Sequence, residues 1–378
     1  MNRGDRWLVV LALMLTMVGL VMVYSSGSFF AFVRYGDANH FLKAQLLRTA
    51  LGVGVLFACM KLDLRWLEKL APAILGIACG LLLLVVVMGH MSNGATRWLR
   101  VGFMSLQPTD LGRVAAVIFL AWWLKRRPVE DLGFVKGMLP PLAILGLVAG
   151  LILKQPNLSS AGLLLMTGFI MLFLSGAPKR FLLVPVAGGV AVVALALANH
   201  PYMMTRVQTF LGFVIKGQLD SRGAGWQLDQ SLIAIGSGGI LGRGLGEGLQ
   251  KLLFLPEAHT DFIFSILAEE LGLIGATVLL ALIGMFLWRG LRVAARASEP
   301  FACLVAGGLT VQIGLYALAN LAVATGVAPT TGLPLPFVSY GGSALLVNLG
   351  AVGILYRISR MNGNEDALVR QRWSREAA

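Results

Sequence analysis

The segment Leu255-Pro-Glu-Ala-His-Thr-Asp-Phe-Ile-Phe-Ser-Ile-Leu-Ala-Glu-Glu-Leu-Gly272 gathers ionisable side chains at both ends of one apolar run. Glu257, His259 and Asp261 precede the run, Glu269 and Glu270 lie two turns into it, and Lys251 stands just upstream. Charges at membrane depth are costly, so they are usually paired, hydrated or functional. Three chemistries are open to Asp261. With Thr260 it is placed to cap the helix that follows and complement its dipole. A carboxylate held at a lipid–water boundary can have a raised pKa and act as a general base. Oxygen ligands can also hold a divalent cation such as Mg2+ or Mn2+, with Asp261 as the candidate ligand. Capping needs one of these groups and leaves Glu257, His259 and Lys251 unexplained.

Two further stretches could do chemistry. Asp110 and Arg113 in Gln107-Pro-Thr-Asp-Leu-Gly-Arg113 are three residues apart, hence on one helical face, and can neutralise each other. Arg113 and Arg97 can instead clamp a pyrophosphate, because guanidinium matches phosphate oxygens bidentately. Trp98 beside Arg97 serves as an interface anchor or a sugar-stacking platform. Gly332-Leu-Pro-Leu-Pro-Phe-Val-Ser-Tyr-Gly-Gly-Ser343 carries no formal charge. Its prolines remove donors and Gly341 and Gly342 permit close approach, so it reads as irregular chain lining a cavity, with Ser339 and Tyr340 able to hydrogen-bond a sugar. Ser237-Gly-Gly-Ile-Leu-Gly-Arg-Gly-Leu-Gly-Glu-Gly248 fits neither a P-loop nor a dinucleotide fingerprint, and reads as flexible or tightly packed backbone. The histidines are too scattered for a metal site, and Cys59, Cys79 and Cys303 lie inside apolar runs as small core residues.

The elements that must position these groups are helices in lipid. The chain has 378 residues, 57% of them apolar and only 13% charged, with a mean hydropathy of +0.80, against about 25% charged in soluble domains. The fold class is therefore all-α, polytopic and membrane-embedded. Apolar runs near 7–29, 43–60, 70–90, 107–124, 138–153, 158–175, 181–199, 261–288, 301–325 and 341–357 predict about ten spans. The fifth and sixth are short and broken apart by Lys154-Gln155-Pro156-Asn157, so a re-entrant pair is the alternative. The net charge of +13 implies no nucleic acid, because Lys and Arg cluster at the ends of apolar runs. Lys61/Arg65/Lys69, Lys125/Arg126/Arg127, Arg289/Arg292/Arg296 and the basic C-terminus place both termini in the cytoplasm. One long loop, His200–Thr260, then lies outside, between helices 7 and 8. Met203, Val207, Phe210 and Val214 recur at helical spacing, as in a helix lying in the interface plane. Residues 1–360 form one transmembrane domain, and 361–378 read as a short disordered cytoplasmic tail.

Gly94 to Arg113, Gln155-Pro-Asn-Leu158, Gly225 to Gly239, Leu255 to Gly272 and Gly332 to Ser343 together resemble the SEDS family of FtsW, RodA and SpoVE. The resemblance covers nearly the whole chain. Gln250-Lys-Leu followed by Leu255-Pro-Glu-Ala-His-Thr-Asp261 is more similar to the division members than to the elongation members. It implies ten membrane helices, and a glycosyltransferase polymerising lipid II on the outer face of a bacterial cytoplasmic membrane, enriched at the division septum. It also implies a class B penicillin-binding protein as transpeptidase partner, with divisome regulators. The family's catalytic carboxylate falls on Asp261; Arg97, Trp98, Asp110, Arg113, Lys251, Glu257, His259, Ser339, Gly341 and Gly342 are then the expected contacts to the lipid II sugar and pyrophosphate. Asp110 and Arg113 stand where the family has Glu and Lys, which changes reach and fork geometry. Asn157 replaces a family Asp, so no charged role carries over to it. A lipid II flippase, an elongation-type polymerase and a non-catalytic scaffold are the alternative functions.

Overall fold

The computed structural model describes residues 4–88, 90–92, 95–101, 104–127, 133–199, 201–216 and 224–376. The chain runs α1 (Arg6–Tyr35), α2 (His40–Met60), α3 (Leu64–Met88), β1 (His90–Ser92), β2 (Ala95–Val101), β3 (Met104–Leu106) and α4 (Pro108–Arg126). A π-helical turn, Phe134–Met138, leads into α5 (Leu139–Leu153), then α6 (Leu158–Leu174), α7 (Lys179–Asn199), α8 (Pro201–Lys216) and α9 (Ala224–Gly238). It ends with α10 (Ile263–Ala295), α11 (Pro300–Ala324) and α12 (Ser343–Glu376). All ten predicted apolar runs are helices, and the fifth and sixth are the separate helices α5 and α6. Among the described residues seven segments are long and apolar enough to cross a membrane by length and composition, the others among the ten being α4, α6 and α7.

Local chemistry sets the helix ends. Asp5 precedes α1 and its carboxylate accepts from the Trp7 amide, while Gly36 closes the helix in the left-handed conformation. Pro108 and Pro300 open α4 and α11 at the position where a missing N–H costs nothing. The Glu299 carboxylate caps α11 by accepting from Phe301 and Ala302. Asn157 accepts from the Ser160 amide at the start of α6, so it has a capping role.

The cationic groups assigned to the cytoplasm gather at one end of the bundle. Arg289 pairs with Asp5 at 3.3 Å, and Lys125 bridges Glu68 at 2.8 Å and Glu299 at 2.6 Å. From Asp5, α1 climbs to Ser25, about 30 Å at 1.5 Å per residue. From Arg289, α10 climbs a similar height to Glu270, and the Ser25 hydroxyl meets the Glu270 carboxylate at 2.6 Å. A hydrocarbon core is about 30 Å thick. Glu270 therefore lies at the outer edge of the hydrocarbon rather than deep within it, and Asp261 about 10 Å beyond, at headgroup level.

Three features depart from the sequence reading. The outer loop between α3 and α4 is an antiparallel sheet of order β1-β2-β3, with Leu99 opposite Leu106 and Val101 opposite Met104. The predicted tail is drawn as helix, α12 running on to Glu376. The long outer loop holds two helices; α8 covers the predicted amphipathic stretch, and His200 lies outside the described residues.

The Gly-rich segment after α9 is packed backbone. The amides of Arg243 and Gly244 donate to the carbonyls of Glu269 and Glu270, and those of Leu273 and Ile274 donate to Gly239 and Ile240. This exchange interrupts α10 at Gly272, whose φ of 65° is left-handed. A Cβ on Gly272 would stand 2.3 Å from the Gly242 nitrogen, and one on Gly242 2.1 Å from the Glu270 carbonyl oxygen. Only glycine permits that approach.

Candidate active site

Residues 249–262 form a run of turns suspended between α9 and α10, tied by hydrogen bonds at both ends. At its lower end the Glu269 carboxylate accepts from the amides of Leu249 (2.8 Å) and Gln250 (3.2 Å). Lys251 Nζ meets Glu270 Oε1 at 2.5 Å and Ser25 Oγ at 3.0 Å. Both ions are buried: Glu270 is 0% exposed and Lys251 7%. Both glutamates therefore hold internal partners. Lys251, expected to meet substrate phosphate, is instead committed to Glu270 and anchors the loop.

At the upper end Glu257 adopts a φ of 55°, and its carbonyl accepts from the amides of Thr260, Asp261 and Phe262. A left-handed non-glycine residue is uncommon and is tolerated where surrounding structure fixes it. The Glu257 side chain is exposed and accepts from the Thr260 hydroxyl at 2.9 Å. The His259 ring is only 8% exposed and stacks on Phe41, with centroids 4.4 Å apart, beside Tyr340 and Phe30. Burial holds its pKa below the ordinary imidazole value. Packing, not an open contact with substrate, is what His259 offers, and its carbonyl accepts from the Tyr340 amide.

Asp261 does not cap α10. The helix begins at Ile263 with Phe262 in the capping position and no side-chain cap bond. The Asp261 carbonyl accepts from Asn320 Nδ2 at 2.7 Å, and the same amide donates to the Leu333 carbonyl at 2.7 Å. Asn320, 1% exposed, thus clips the Asp261 backbone to the irregular 326–342 segment. The carboxylate faces Gly332, which is exposed and has a φ of 70°; a Cβ there would lie 3.5 Å from Asp261 Oδ2. Loss of hydration is the main cause that pushes the half-buried Asp261 carboxyl up to about 7. The negative charge of Glu257 adds to the rise, and the positive charges of Arg206 and Arg97 oppose it.

Those two arginines come from different elements, β2 and α8. Arg97, half-buried on β2, donates to the carbonyls of Gln155 (3.0 Å) and Pro156. Trp98, also half-buried, is its neighbour on β2. Arg206 on α8 donates to the Thr330 carbonyl at 2.8 Å. Arg206 carries no motif of its own in the sequence: it stands among the polar positions of the amphipathic α8.

Asp110 and Arg113 form a second polar group, buried between α4, α11 and α12. They lie 3.6 Å apart, as their spacing predicts. Asp110 accepts from the Ser343 hydroxyl at 2.6 Å, and Arg113 donates to Asn348 at 2.9 Å and lies over the Tyr316 ring. The pair, with Ser339 and Gly341, lines a small cavity roofed by the 334–337 chain. Ser339 Oγ also accepts from the Leu335 amide at 2.8 Å. Gly342 lies against β3, where a Cβ would stand 2.7 Å from the Ser105 carbonyl oxygen. Gly94 of the sequence motif lies outside the described residues.

Among the described residues no three His, Cys, Asp or Glu side chains converge on a common point. Asp261 and Glu257 are the two carboxylates at the site. Mg2+ is usually held by one or two carboxylates together with substrate phosphates. That donor set suits an ion shared with a phosphorylated substrate rather than one caged by protein alone.

A bundle of apolar helices with a cluster of ionisable groups at headgroup level defines a multi-pass membrane protein whose site faces one membrane surface. The family model FTSW_RODA_SPOVE, described as cell cycle protein, matches residues 5–364. The chain belongs to this FtsW/RodA/SpoVE family. It is 40% identical over 367 residues to the probable peptidoglycan glycosyltransferase FtsW of Geobacter sulfurreducens, covering 96% of this chain and 97% of that one. It is 38% identical over 360 residues to the stage V sporulation protein E of Bacillus subtilis, covering 94% and 97%. Among solved structures, a chain of a peptidoglycan synthase complex that coordinates polymerization and crosslinking is 30% identical, with a TM-score of 0.77 over 95% of this chain and 98% of that one. The rod shape determining protein RodA of Thermus thermophilus is 29% identical, with a TM-score of 0.71 over 94% and 97%.

Proposed function

We propose that the protein is a peptidoglycan glycosyltransferase that polymerises lipid II during cell division, working with a class B penicillin-binding protein. The observation that carries this reading is the half-buried Asp261 carboxylate at headgroup level, which faces the exposed Gly332 and feels the positive charges of Arg206 and Arg97. Lipid-linked sugar diphosphates present their reactive carbon at that height. Relatives named as glycosyltransferases support the activity, and the synthase-complex neighbour supports the transpeptidase partner. Enrichment at the septum follows from the likeness to FtsW.

In the reaction, Asp261 takes the proton from the acceptor sugar 4-hydroxyl. The freed oxygen attacks the anomeric carbon of the growing strand and forms the new glycosidic bond. The bond from that carbon to the lipid diphosphate breaks, and its electron pair leaves on the phosphate oxygen. General-base catalysis contributes about 10²–10⁴-fold, so stabilising the leaving charge in a water-poor cleft matters at least as much. A divalent cation bound with the diphosphate would neutralise part of that charge, with Asp261 and Glu257 as its protein ligands. A flippase is less well supported: Glu269, Glu270, Asp110 and Arg113 are each engaged in internal contacts instead of lining an open polar path.

The test is a gel assay for glycan strands from purified protein and labelled lipid II, with and without the partner. Asp261→Ala should bind lipid II and make no polymer. Polymerisation by that variant near the wild-type rate would remove Asp261 from the reaction.

A further inference from the structure

Among the described residues, Arg48 on α2 has no part in the reaction and no counter-charge. It is half-buried and lies over the Tyr340 ring, 4.5 Å from its centroid. Its Nη1 is out of contact with water and has no hydrogen-bond partner among the described residues, and none of the ion pairs there includes Arg48. One turn earlier, Gln45 is only 1% exposed. Its Nε2 donates to the Ser339 carbonyl at 3.5 Å, and its Oε1 has no donor among the described residues. Taking a guanidinium out of water costs more than contact with an aromatic face returns, so such a cation calls for an anion. A buried acceptor without a donor carries a further penalty. A trapped water would serve Gln45 and leave the charge of Arg48 unbalanced.

Position narrows the choice of anion. The charges that act on Asp261 are those of Glu257, Arg206 and Arg97, so Arg48 serves a separate place. α2 runs from the outer surface inward, and helical side chains lean toward the N-terminus of their helix. Arg48 therefore lifts its guanidinium from hydrocarbon depth to Tyr340, whose amide donates to the His259 carbonyl near headgroup level. Leu51 and Val55, one and two turns further down the same side of α2, are 39% and 37% exposed, so acyl chains lie below the guanidinium. An anion at headgroup height with acyl chains beneath it is a phospholipid. A phosphoglycerol headgroup meets both needs, with a phosphate for Arg48 and a hydroxyl donor for Gln45. A zwitterionic headgroup brings its own cation and does not balance Arg48.

We propose that Gln45 and Arg48 form a binding site for one anionic phospholipid of the outer leaflet. The lipid phosphate sits on the Arg48 guanidinium, a headgroup hydroxyl donates to Gln45 Oε1, and an acyl chain runs along Leu51 and Val55. The site stands whether or not the protein is a glycosyltransferase. It adjoins the loop that carries Asp261, because the Tyr340 ring under Arg48 also packs against His259, with centroids 5.6 Å apart.

The experiment takes purified full-length protein in detergent micelles doped with phosphatidylglycerol, phosphatidylcholine or lipid II. It reads the melting temperature and, by native mass spectrometry, the lipid retained. Phosphatidylglycerol should raise the melting temperature of the wild type and stay bound as one molecule, and phosphatidylcholine should do neither. Arg48→Leu should hold phosphatidylglycerol about tenfold more weakly, and Arg48→Lys should recover part of that loss. Stability should cross over. In phosphatidylcholine, Arg48→Leu removes an unbalanced charge and should melt at or above the wild type, whereas with phosphatidylglycerol it should melt below it. Lys43→Gln, at an exposed cation paired with Asp37, should behave as the wild type throughout. Equal retention of phosphatidylglycerol by the wild type and Arg48→Leu would overturn the site. So would a loss of stability by Arg48→Leu in both micelles, which would show its charge balanced within the protein. Retention of lipid II in preference to phosphatidylglycerol would give the position to substrate and overturn the phospholipid.

Discussion

Asp261 can act as a base only when ionised, and its carboxyl is pushed up to about 7. Below that value kcat/KM for polymerisation should fall about tenfold per pH unit, and above it should level off. A profile flat from pH 5 to 8 would mean that no group with this pKa takes the proton. The same shift has a consequence for stability. A carboxyl whose folded pKa exceeds its unfolded value, about 3.9, is penalised in the folded state once the solution pH passes the lower value. The penalty grows between about 4 and 7 and is constant above. Asp261→Asn should therefore raise the melting temperature more at pH 8 than at pH 5, while abolishing polymer synthesis. An equal shift at both pH values would show that the carboxylate bears no folding cost. Asp261 is recognisable in the sequence because Glu257, His259 and Lys251 crowd it. What each neighbour does is not, since His259 stacks on Phe41 from α2 and Lys251 reaches Ser25 on α1, contacts that no local spacing encodes.

At the scale of elements, the segment from Gly239 to Phe262 is held by α10 rather than by its own secondary structure. The Lys251–Glu270 pair, sealed by Ser25, ties it through a buried ion pair. Removing one partner of a buried pair leaves an uncompensated charge and typically costs about 3–5 kcal/mol, while replacing both with apolar residues is often neutral. Lys251→Met should thus lower the melting temperature sharply, and Lys251→Met with Glu270→Met should recover most of it. If the double variant is no better than the single one, the pair is not coupled and the loop is held elsewhere. The apolar run lengths, the capping prolines and the helical spacing of α8 made the helices legible. The β1-β2-β3 sheet was not, because its strands of three, seven and three residues are too short to show an alternating pattern. The interruption of α10 was hidden for a different reason: Gly272 is left-handed only because Gly239–Gly244 lies against it, and that pairing joins segments some thirty residues apart.

For the whole molecule, the two polar layers fix its depth in a bilayer. Asp5, Arg289, Lys125, Glu68 and Glu299 mark the cytoplasmic layer, and Ser25, Glu270 and Lys251 the outer one, about 30 Å apart along α1. The Gly-rich turn is bonded to α10 from Glu269 to Ile274, so it dips at or just below the outer layer even though it belongs to a long outer loop. Its apolar side chains Ile240, Leu241 and Leu245 are exposed, at the height of the exposed Leu273 and Ile274 of α10. Exposed apolar side chains at that level face acyl chains. Pro256, beyond Lys251 on the same loop, is exposed on the aqueous side of the layer. Spin labels placed by Leu241→Cys and Pro256→Cys, with Cys59, Cys79 and Cys303 replaced, should separate in liposomes. The label at 241 should relax mainly with oxygen dissolved in the hydrocarbon, and that at 256 with a water-soluble nickel chelate. Equal exposure of both to the chelate would place the turn above the membrane, and with it would go the assignment of Asp261 to the headgroup layer where a lipid-linked diphosphate lies.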